Sequence, residues 1–405
     1  MDKNLTVCLL NDSFPPIIDG VSNAVFNYAQ IINKFYGSAI VCTPKYPGVD
    51  YDYPFPVFRY PSVKTLKFGG YRTGIPILTG KMKEFAKQNV DIIHTHCPFA
   101  SSVMARTLRT QTHKPIIFSY HTKFDIDLAN MFESEIIQKQ IINFIVANIE
   151  QSDEVWVVSN GAGENLRSLG YSGEYHVMDN GVDFPKGKSD ASSIEFLRRN
   201  HELTSDVPVF LFVGRMRWYK GIRIILDGLF KAKALGSRFK MIFVGGGEDY
   251  PDIVKYAETI GLSGDCIFTG PIVSRETVRA YFSACDMFLF PSTYDTNGIV
   301  VREAAACGVA SILIKDSAAA EGVIDGETGL LIEENAESLA SAIVKLSDNI
   351  GFLRELGERA QAGLYLSWEE SVGRAFERYK VVDENFRSGL GTDSHKKRKT
   401  GERRA

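Results

Sequence analysis

The stretch MFLFPSTYDTNGIVVREAAA, residues 287–306, combines a predicted strand, a loop and a predicted helix, which is the pattern of a βαβ unit. The apolar strand Met287–Phe290 ends at Pro291, and the helix begins near Val300. Gly298 lets a ligand approach the backbone closely. The first turn of the helix offers free N–H groups and the positive end of the helix dipole, so a diphosphate or a sugar suits this position.

Two carboxylates flank that helix start, Asp295 on the loop and Glu303 about one turn inside the helix. Carboxylates in such places accept hydrogen bonds from the hydroxyls of a sugar or a ribose. A capped helix whose carboxylates face solvent would have the same residues. The stretch on its own therefore leaves two interpretations open, a ligand-binding loop and an ordinary helix start.

The alternation of apolar strands and helices extends outward from this stretch and runs twice along the chain. Strands separated by helices predict parallel sheets, so we expect an α/β protein of two doubly wound domains, residues 1–185 and 186–366. Residues 185–193 are polar and are predicted to form a linker. Helical spacing continues over residues 367–386, and the basic residues 387–405 are predicted to be disordered. Ligands of such domains bind beyond the carboxyl ends of the strands.

The stretch FVGRMRWYKG, residues 212–221, ends a second predicted strand at Gly214 and then presents Arg215 and Lys220 around a turn. Two cations at the end of a strand can neutralise a leaving diphosphate without a metal ion. Arg and Lys are also common surface residues. The stretch is therefore consistent with a phosphate site and with an exposed turn.

Two segments of the first domain follow predicted strands in the same way. Gly20 ends the loop after the first strand, where its backbone could pack against a phosphate or a sugar, although a simple turn would look the same. His121 follows the predicted strand Ile116–Tyr120. A single histidine in this position is either a satisfied core residue or a group that acts on a ligand.

The composition is that of a soluble globular protein, with 405 residues of which 44% are hydrophobic and 23% charged. The formal net charge of −3 gives no signature of a nucleic-acid-binding protein. No apolar run is long enough to predict a membrane span or a signal peptide. The six cysteines are scattered without a Cys-x-x-Cys pair, so we expect reduced thiols in a cytoplasmic protein.

The charge is unevenly distributed, because residues 59–87 carry a net charge of +6 and residues 395–405 a net charge of +5. Such a block is either a solvated face or a surface that binds an anionic membrane, to which each Lys or Arg contributes about 1 kcal/mol. Apolar residues between the cations would enter the interface. The residues predicted to bind the membrane are Lys64, Lys67, Phe68, Tyr71, Arg72, Lys81 and Lys83.

Two patterns have the residue types of a metal site. His94 and His96 lie on one side of a strand, but no third ligand has a plausible spacing. Asp125 and Asp127 match an Asp-x-Asp motif but lie in a predicted helix. Because basic side chains already supply positive charge at the predicted phosphate site, we expect no metal ion and no cofactor.

Together these motifs resemble those of glycosyltransferase family 4, and the resemblance covers nearly the whole chain. Residues 295–303 are similar to the family's Glu-x7-Glu signature, with Asp295 in place of the first Glu, and residues 214–221 are similar to its Gly-Arg-x4-Lys-Gly motif. Residues 120–122 are similar to the Tyr-His-Thr of members that use lipid acceptors. The resemblance implies the GT-B fold, with two Rossmann-like domains facing a cleft and residues 367–386 crossing back to the first domain.

The resemblance also implies a role for each matching residue. Glu303 would bind the ribose of the donor nucleotide, and Asp295 would hold the donor sugar. Arg215 and Lys220 would stabilise the departing diphosphate, and His121 would reach the sugar near the reacting carbon. The rest of the implied donor site is Gly20, Gly214, Val273, Asn297, Gly298, Ile299 and Val300.

These roles predict a retaining, metal-independent hexosyltransferase that uses a nucleotide diphosphate sugar, UDP- or GDP-linked. Its expected acceptor is a hydroxyl of a membrane lipid such as diacylglycerol, and the enzyme would then be a peripheral protein of glycolipid biosynthesis at the inner face of the plasma membrane. Three alternatives stay open. The first is a soluble or polyprenyl-linked acceptor in polysaccharide synthesis. The second is a nucleotide-sugar-binding protein without transfer activity, and the third is an epimerase with the GT-B fold.

Overall fold

The computed structural model describes residues 5–17, 19–48, 52–65, 72–77, 90–347 and 349–389, without the side chains of Asp127 and Asn130. The chain divides into two compact units, of which the first is Met1–Asn180 with Trp368–Ala405 and the second is Gly181–Ser367. The predicted tail beyond residue 389 lies outside the described residues. So do five predicted membrane-binding residues, Lys67, Phe68, Tyr71, Lys81 and Lys83.

The described elements follow one another in the predicted alternation. Up to residue 200 they are β1 (Thr6–Leu10), α1 (Gly20–Ile31), β2 (Ser38–Pro44), β3 (Val57–Tyr60), β4 (Ser62–Lys64), β5 (Arg72–Gly74), β6 (Ile92–Thr95), α2 (Ala100–Thr112), β7 (Ile116–Tyr120), α3 (Phe124–Met131), α4 (Glu135–Ile149), β8 (Glu154–Val157), α5 (Asn160–Ser168), β9 (His176–Val177) and α6 (Ala191–Asn200). They continue as β10 (Val209–Val213), α7 (Ile222–Ala234), β11 (Lys240–Val244), α8 (Tyr250–Thr259), β12 (Cys266–Gly270), α9 (Arg275–Ala284), β13 (Met287–Phe290), α10 (Ile299–Ala306), β14 (Ala310–Ile314), β15 (Gly329–Ile332), α11 (Ala336–Ser347), α12 (Ile350–Leu364) and α13 (Trp368–Arg387). Short helical turns lie at Ile32–Tyr36, Trp218–Lys220 and Ala318–Ala320.

Each unit contains one large parallel sheet. The strand order is β3-β2-β1-β6-β7-β8-β9 in the first unit and β12-β11-β10-β13-β14-β15 in the second. Central strands such as β1, β10 and β13 are almost entirely buried, because helices cover both faces of a parallel sheet. The fold is therefore α/β with two doubly wound parallel sheets, which confirms the sequence prediction.

Both strand orders reverse at a central strand, and this reversal positions the ligand sites. In the first sheet the chain moves outward from β1 to β3 and then returns to β6 on the other side of β1. In the second sheet the same reversal separates β10 from β13. The crevice beyond the carboxyl ends of such a strand pair is where doubly wound sheets bind ligands. We therefore expect functional residues in the loops that follow β1, β6, β10 and β13.

The helix α13 packs into the core of the first unit, although it is the last described element. Tyr379 stacks on Trp156 with ring centroids 5.1 Å apart. Its hydroxyl lies 2.6 Å from Nδ1 of His94. The guanidinium of Arg378 donates to both carboxylate oxygens of Glu154, at 2.8 and 2.6 Å. These contacts bury one face of α13 against the sheet.

The second unit begins a few residues before the predicted boundary at 185. Val182 and Phe184 are buried in its core, and Val182 N–H donates to the carbonyl of Leu366 at 3.0 Å. The ring of Phe184 packs on that of Phe282 with centroids 6.0 Å apart. The chain therefore passes between the units at Asn180–Gly181 and again at Ser367–Trp368.

The sequence predicts a linker at residues 185–193, but in the structure this segment belongs to the second unit. Gly187 N–H donates to the carbonyl of Ala306, and Ser189 N–H donates to Oγ of Ser283, both at 2.8 Å. Most side chains of this segment are exposed, in keeping with its polar composition, while these two backbone N–H groups attach it to neighbouring helices of the second unit.

Two further expectations concern cysteines and membrane spans. All six cysteines are free thiols, and five of them are buried. Within the described residues, no helix has both the length and the apolar character needed to span a membrane.

Candidate functional site

An ion pair joins the loops that follow β10 and β13, at the point where the second sheet reverses its strand order. Nζ of Lys220 donates to both carboxylate oxygens of Asp295, each at 2.9 Å. Oγ of Ser292 donates to one of the same oxygens at 2.7 Å. The side chains of Lys220 and Asp295 are 12% and 24% exposed, so a ligand can still reach both. The structure therefore brings together two predicted site residues that are 75 positions apart in sequence.

A glycine makes this ion pair sterically possible. Gly221 has a positive φ of 77°, and an added Cβ atom would lie only 1.9 Å from the carbonyl oxygen of Pro291. The loop after β10 therefore touches the end of β13 closely, and Lys220 is held beside Asp295. Nζ of Lys220 also lies 4.9 Å from the ring centroid of Tyr294. This cation–π contact helps to keep the ammonium group in place.

The helix α10 begins beside the ion pair, at Ile299 as the sequence predicted to within one residue. Its N-cap is Gly298, which has a positive φ of 58° and, being glycine, supplies no capping side chain. An added Cβ atom there would lie 2.9 Å from Cα of Ala319. Asn297 is buried and Val300 is partly buried. The first turn of α10 thus has N–H groups that no side chain of its cap residue satisfies, as expected for a site that accepts an anion.

Glu303 lies in the next turn of α10 and is only 7% exposed. Nη2 of Arg275, the first residue of α9, donates to its carboxylate. The guanidinium of Arg275 also lies 4.4 Å from the ring centroid of Phe184 and 4.0 Å from the carboxylate of Asp183. Burial raises the pKa of Glu303, and the positive charge of Arg275 opposes this rise. Arg275 was missed by the sequence analysis, although it follows directly on the loop after β12.

A glycine-rich loop after β11 supports the segment around Gly214. Gly245 has a φ of 143°, and an added Cβ atom would lie 1.9 Å from the carbonyl oxygen of Gly214. Met216 N–H donates to the carbonyl of Gly246 at 3.0 Å. Arg215, between these contacts, is exposed and forms no ion pair with any residue that the structure describes. Its guanidinium is therefore available to an anion.

Two other predicted donor-binding residues have open surroundings. Val273, in the loop after β12, is 95% exposed. Gly20 is the first residue of α1 in the first unit, and an added Cβ atom there would meet nothing within 4 Å. Packing inside the protein therefore does not require glycine at position 20.

Three histidines lie at the carboxyl ends of β6 and β7 in the first unit. Nδ1 of His96 lies 3.0 Å from Nε2 of His121. His94 lies beneath His96, with ring centroids 4.0 Å apart, and its two nitrogens bond to the hydroxyls of Tyr379 and Ser119 at 2.6 and 2.8 Å. Burial lowers the pKa of His121 to about 4, partly opposed by the charge of Asp19. All three imidazoles are thus favoured in the neutral form, since burial also lowers the pKa of His94 and His96.

Two of the residues considered as metal ligands, His94 and Asp125, bond to other side chains. Both nitrogens of His94 are occupied by hydroxyls, and Nδ2 of Asn165 donates to the carboxylate of Asp125 at 3.2 Å. In the part of the chain that the structure describes, no group of three or more His, Cys, Asp or Glu is arranged to hold a metal ion.

The described part of the basic block, residues 59–65 and 72–77, includes the hairpin of β4 and β5. Lys64 is exposed, and so are the apolar side chains of Val63 (51%) and Ile77 (60%). The guanidinium of Arg72 instead donates to Oγ and to the carbonyl of Ser62, at 2.7 and 2.9 Å. Arg72 therefore has a structural role in the hairpin.

Comparisons with known proteins match both units of the chain to glycosyltransferases. The family model Glycosyltransferase Family 4 matches residues 18–185, and the model Glycosyl transferases group 1 matches residues 193–363. The alpha-monoglucosyldiacylglycerol synthase of Streptococcus pneumoniae is 23% identical over 309 residues, which cover 75% of this chain and 70% of that protein. The GDP-mannose-dependent alpha-mannosyltransferase of Corynebacterium glutamicum is 24% identical over 337 residues, which cover 82% of this chain and 77% of that protein.

Solved structures show the same fold. The structure of Anabaena Alr3699/HepE in complex with UDP and glucose has a TM-score of 0.69 at 18% identity, and the match covers 93% of this chain and 100% of that one. The two family models together cover most of the chain, and the motif residues of the second unit converge on one site. The chain therefore belongs to glycosyltransferase family 4 and is a glycosyltransferase with the GT-B fold.

Proposed function

We propose that this glycosyltransferase moves a hexose from a nucleotide diphosphate sugar to a hydroxyl of a membrane lipid such as diacylglycerol, with retention of anomeric configuration and without a metal ion. The observation that carries the proposal is the contact between Lys220 and Asp295 at the switch point of the second sheet. It places a cation suited to a diphosphate next to a carboxylate suited to sugar hydroxyls. A donor in which a diphosphate is joined directly to a sugar matches this pair of side chains.

The start of α10 extends the same site toward the diphosphate. The helix start has no capping side chain at Gly298, and its first N–H groups and the positive end of the helix dipole favour a bound anion. Lys220 would exchange part of its contact with Asp295 for the donor phosphates, and the exposed Arg215 would add a second positive charge. Together they would stabilise the charge that develops on the departing nucleoside diphosphate, which is the function that a metal ion serves in other transferases.

Glu303 is proposed to bind the ribose hydroxyls of the donor. Its carboxylate is buried, and Arg275 compensates its negative charge. A charged carboxylate accepts hydrogen bonds more strongly than a neutral acid, so Arg275 supports ribose binding indirectly. The exposed Val273 lies two residues before Arg275 and is proposed to contact the base.

His121 keeps the role that the family resemblance implies, contact with the donor sugar near the reacting carbon. Because its pKa lies near 4, the imidazole is neutral at pH 7. A neutral ring can position the sugar by hydrogen bonding. We therefore assign it a positioning and electrostatic role in the reaction rather than that of a nucleophile.

An exposed apolar surface of the first unit supports a lipid acceptor. Ile136 and Phe144 on α4 are 73% and 48% exposed. Beside them lies an open cavity of about 390 Å³ whose lining is mostly apolar: Phe99, Leu128, Phe132, Ile137, Gln140, Ile141 and Phe144. Exposed apolar patches of this kind often mark membrane or protein contacts. Elsewhere in the first unit Lys64, Val63 and Ile77 are also exposed. We therefore propose peripheral attachment to a membrane, at the cytoplasmic face of the plasma membrane.

The names of the similar proteins support a lipid acceptor and leave the donor open. One relative is named for the synthesis of a glucosyldiacylglycerol, a second for its use of GDP-mannose, and the compared structure holds UDP and glucose. We therefore propose a UDP- or GDP-linked hexose as donor. The alternatives are a soluble or polyprenyl-linked acceptor and nucleotide-sugar binding without transfer. An assay of hexose transfer to vesicles that contain diacylglycerol distinguishes them from the proposed function.

Thermal unfolding in the presence of UDP-, GDP- and ADP-sugars tests the donor site. A donor at 100 times its dissociation constant should stabilise the protein by about 2.7 kcal/mol. We expect the shift with one nucleotide, its loss in Glu303→Ala, and its retention in Glu258→Ala, which removes an exposed carboxylate from α8. No shift with any donor would contradict the proposed site.

A further inference from the structure

The cluster of histidines in the first unit contains one buried nitrogen that the proposed function has not used. His96 is 3% exposed, and its Nε2 has no hydrogen-bond partner among the residues that the structure describes. Its Nδ1 faces Nε2 of His121 at 3.0 Å, with the two rings 25° from coplanar. Because both atoms are ring nitrogens, one of them has to donate and the other has to accept.

The buried environment decides which nitrogen carries the proton. If Nε2 of His96 were protonated, the protein would bury an N–H group without an acceptor, an arrangement that folded proteins rarely contain. A lone pair without a donor is tolerated better. The proton of His96 is therefore on Nδ1, from which it is donated to His121. Nε2 of His121 accepts it, so the neutral His121 carries its own proton on Nδ1.

The surroundings of His96 keep its ring from turning. The ring of Tyr28 meets both His94 and His96 edge-on, with centroids 5.8 and 5.7 Å away. His94 is itself fixed through both nitrogens by the hydroxyls of Tyr379 and Ser119. The orientation of His96 is thus set by packed aromatic rings and by α13, and it does not depend on solvent.

We propose that His96 is a positioning residue, which holds His121 in the Nδ1–H tautomer and in a fixed ring orientation for the transfer reaction. This inference rests on the proposed role of His121 and adds a specific statement to it. His121 offers a hydrogen-bond donor at Nδ1 and has its Nε2 lone pair engaged, so that Nε2 is not free to act as a base. His96 need not touch the substrate at all.

The ¹⁵N NMR spectrum of histidine side chains tests the tautomers directly. We expect both His96 and His121 of the wild-type protein to show protonated Nδ1 and unprotonated Nε2 at pH 7. In His96→Leu, which fills a similar volume without a donor, His121 should lose the pure Nδ1–H signature. A wild-type His121 protonated at Nε2 would overturn the proposal, whatever its activity.

Kinetics with a matched pair of variants provides the second test. In His96→Asn, the side-chain amide can place an N–H near the position of Nδ1, whereas His96→Leu cannot. We expect kcat to fall at least about tenfold in the Leu variant with the donor KM changed less than about twofold, and to recover largely in the Asn variant. Equal kcat in wild type and His96→Leu would overturn the proposal.

The two tests separate this inference from the proposed function. A wild-type protein that transfers no sugar would refute the proposed function. The NMR signature alone would then show whether His96 holds His121 in the Nδ1–H tautomer. If His96→Leu failed to fold, the Asn variant and the wild-type spectrum would still decide it.

Discussion

Gly221 offers a sharp test of how the second unit builds its site. Replacing it by Ala places a residue with a side chain at a φ of 77° and a Cβ atom 1.9 Å from the carbonyl oxygen of Pro291. The left-handed conformation alone costs about 1–2 kcal/mol. The clash with the backbone at Pro291 forces the loop away from β13, for which we add at least about 1–2 kcal/mol. We therefore expect Gly221→Ala to lower the free energy of unfolding by about 3 kcal/mol or more.

Gly261 is a matched control in the same unit. It has a φ of 78°, and an added Cβ atom would meet nothing within 4 Å. Gly261→Ala should therefore cost only the conformational strain, about 1–2 kcal/mol. Urea denaturation gives both free energies, and calorimetric titration with the donor should find binding lost in Gly221→Ala and kept in Gly261→Ala. If the two variants matched in stability and in donor affinity, the close approach to Pro291 would not be what positions Lys220.

Three further predictions follow from the charged groups of the two units. Lys220→Met should weaken donor binding at least about tenfold in titration calorimetry, since a charged hydrogen bond contributes about 1.5–3 kcal/mol. The loss of affinity should be smaller when Asp295 is already replaced by Asn, because the two residues act together. Arg275→Met should lower the free energy of unfolding, measured in urea, by about 1–2 kcal/mol, because Glu303 stays buried without its partner. An unchanged free energy would show that another group donates a hydrogen bond to the carboxylate of Glu303. The pKa of His121 lies near 4, below the ordinary 6.5, so the unfolded state binds more protons than the folded state between pH 6.5 and pH 4. The free energy of unfolding should therefore fall by up to about 3 kcal/mol as the pH drops through this range. Its slope against pH should be smaller in His121→Gln.

The sequence predicted the fold well because parallel sheets leave a strong pattern. Strands such as Val209–Val213 and Met287–Phe290 are continuous apolar runs, and each is followed by glycine- or proline-containing loops that end it. The strand order, however, follows from long-range pairing, which no local pattern specifies. Residues 185–193 show what a local pattern cannot predict, since their polar composition indicates a linker while backbone hydrogen bonds of Gly187 and Ser189 attach the segment to the second unit.

Part of the site could be predicted in the same way. Lys220, Asp295 and Glu303 stand in recognisable local motifs, and the structure joins the first two in an ion pair. The partners of these residues were not predictable locally. Arg275 reaches Glu303 across a gap of 28 residues, and His96 reaches His121 across 25. Such pairs depend on which strands and helices become neighbours in the folded sheet.

We expect Lys220, Asp295 and Glu303 of the second unit to be required for the transfer of a hexose from a nucleotide donor. The most direct measurement is NMR of the product formed from UDP-glucose or GDP-mannose with vesicles that contain diacylglycerol, in the presence of EDTA. We expect a lipid-linked hexose that keeps the anomeric configuration of the donor, with Glu303→Ala inactive and Glu258→Ala as active as the wild type. An inverted product, a requirement for a metal ion, or full activity in Glu303→Ala would refute the proposed function.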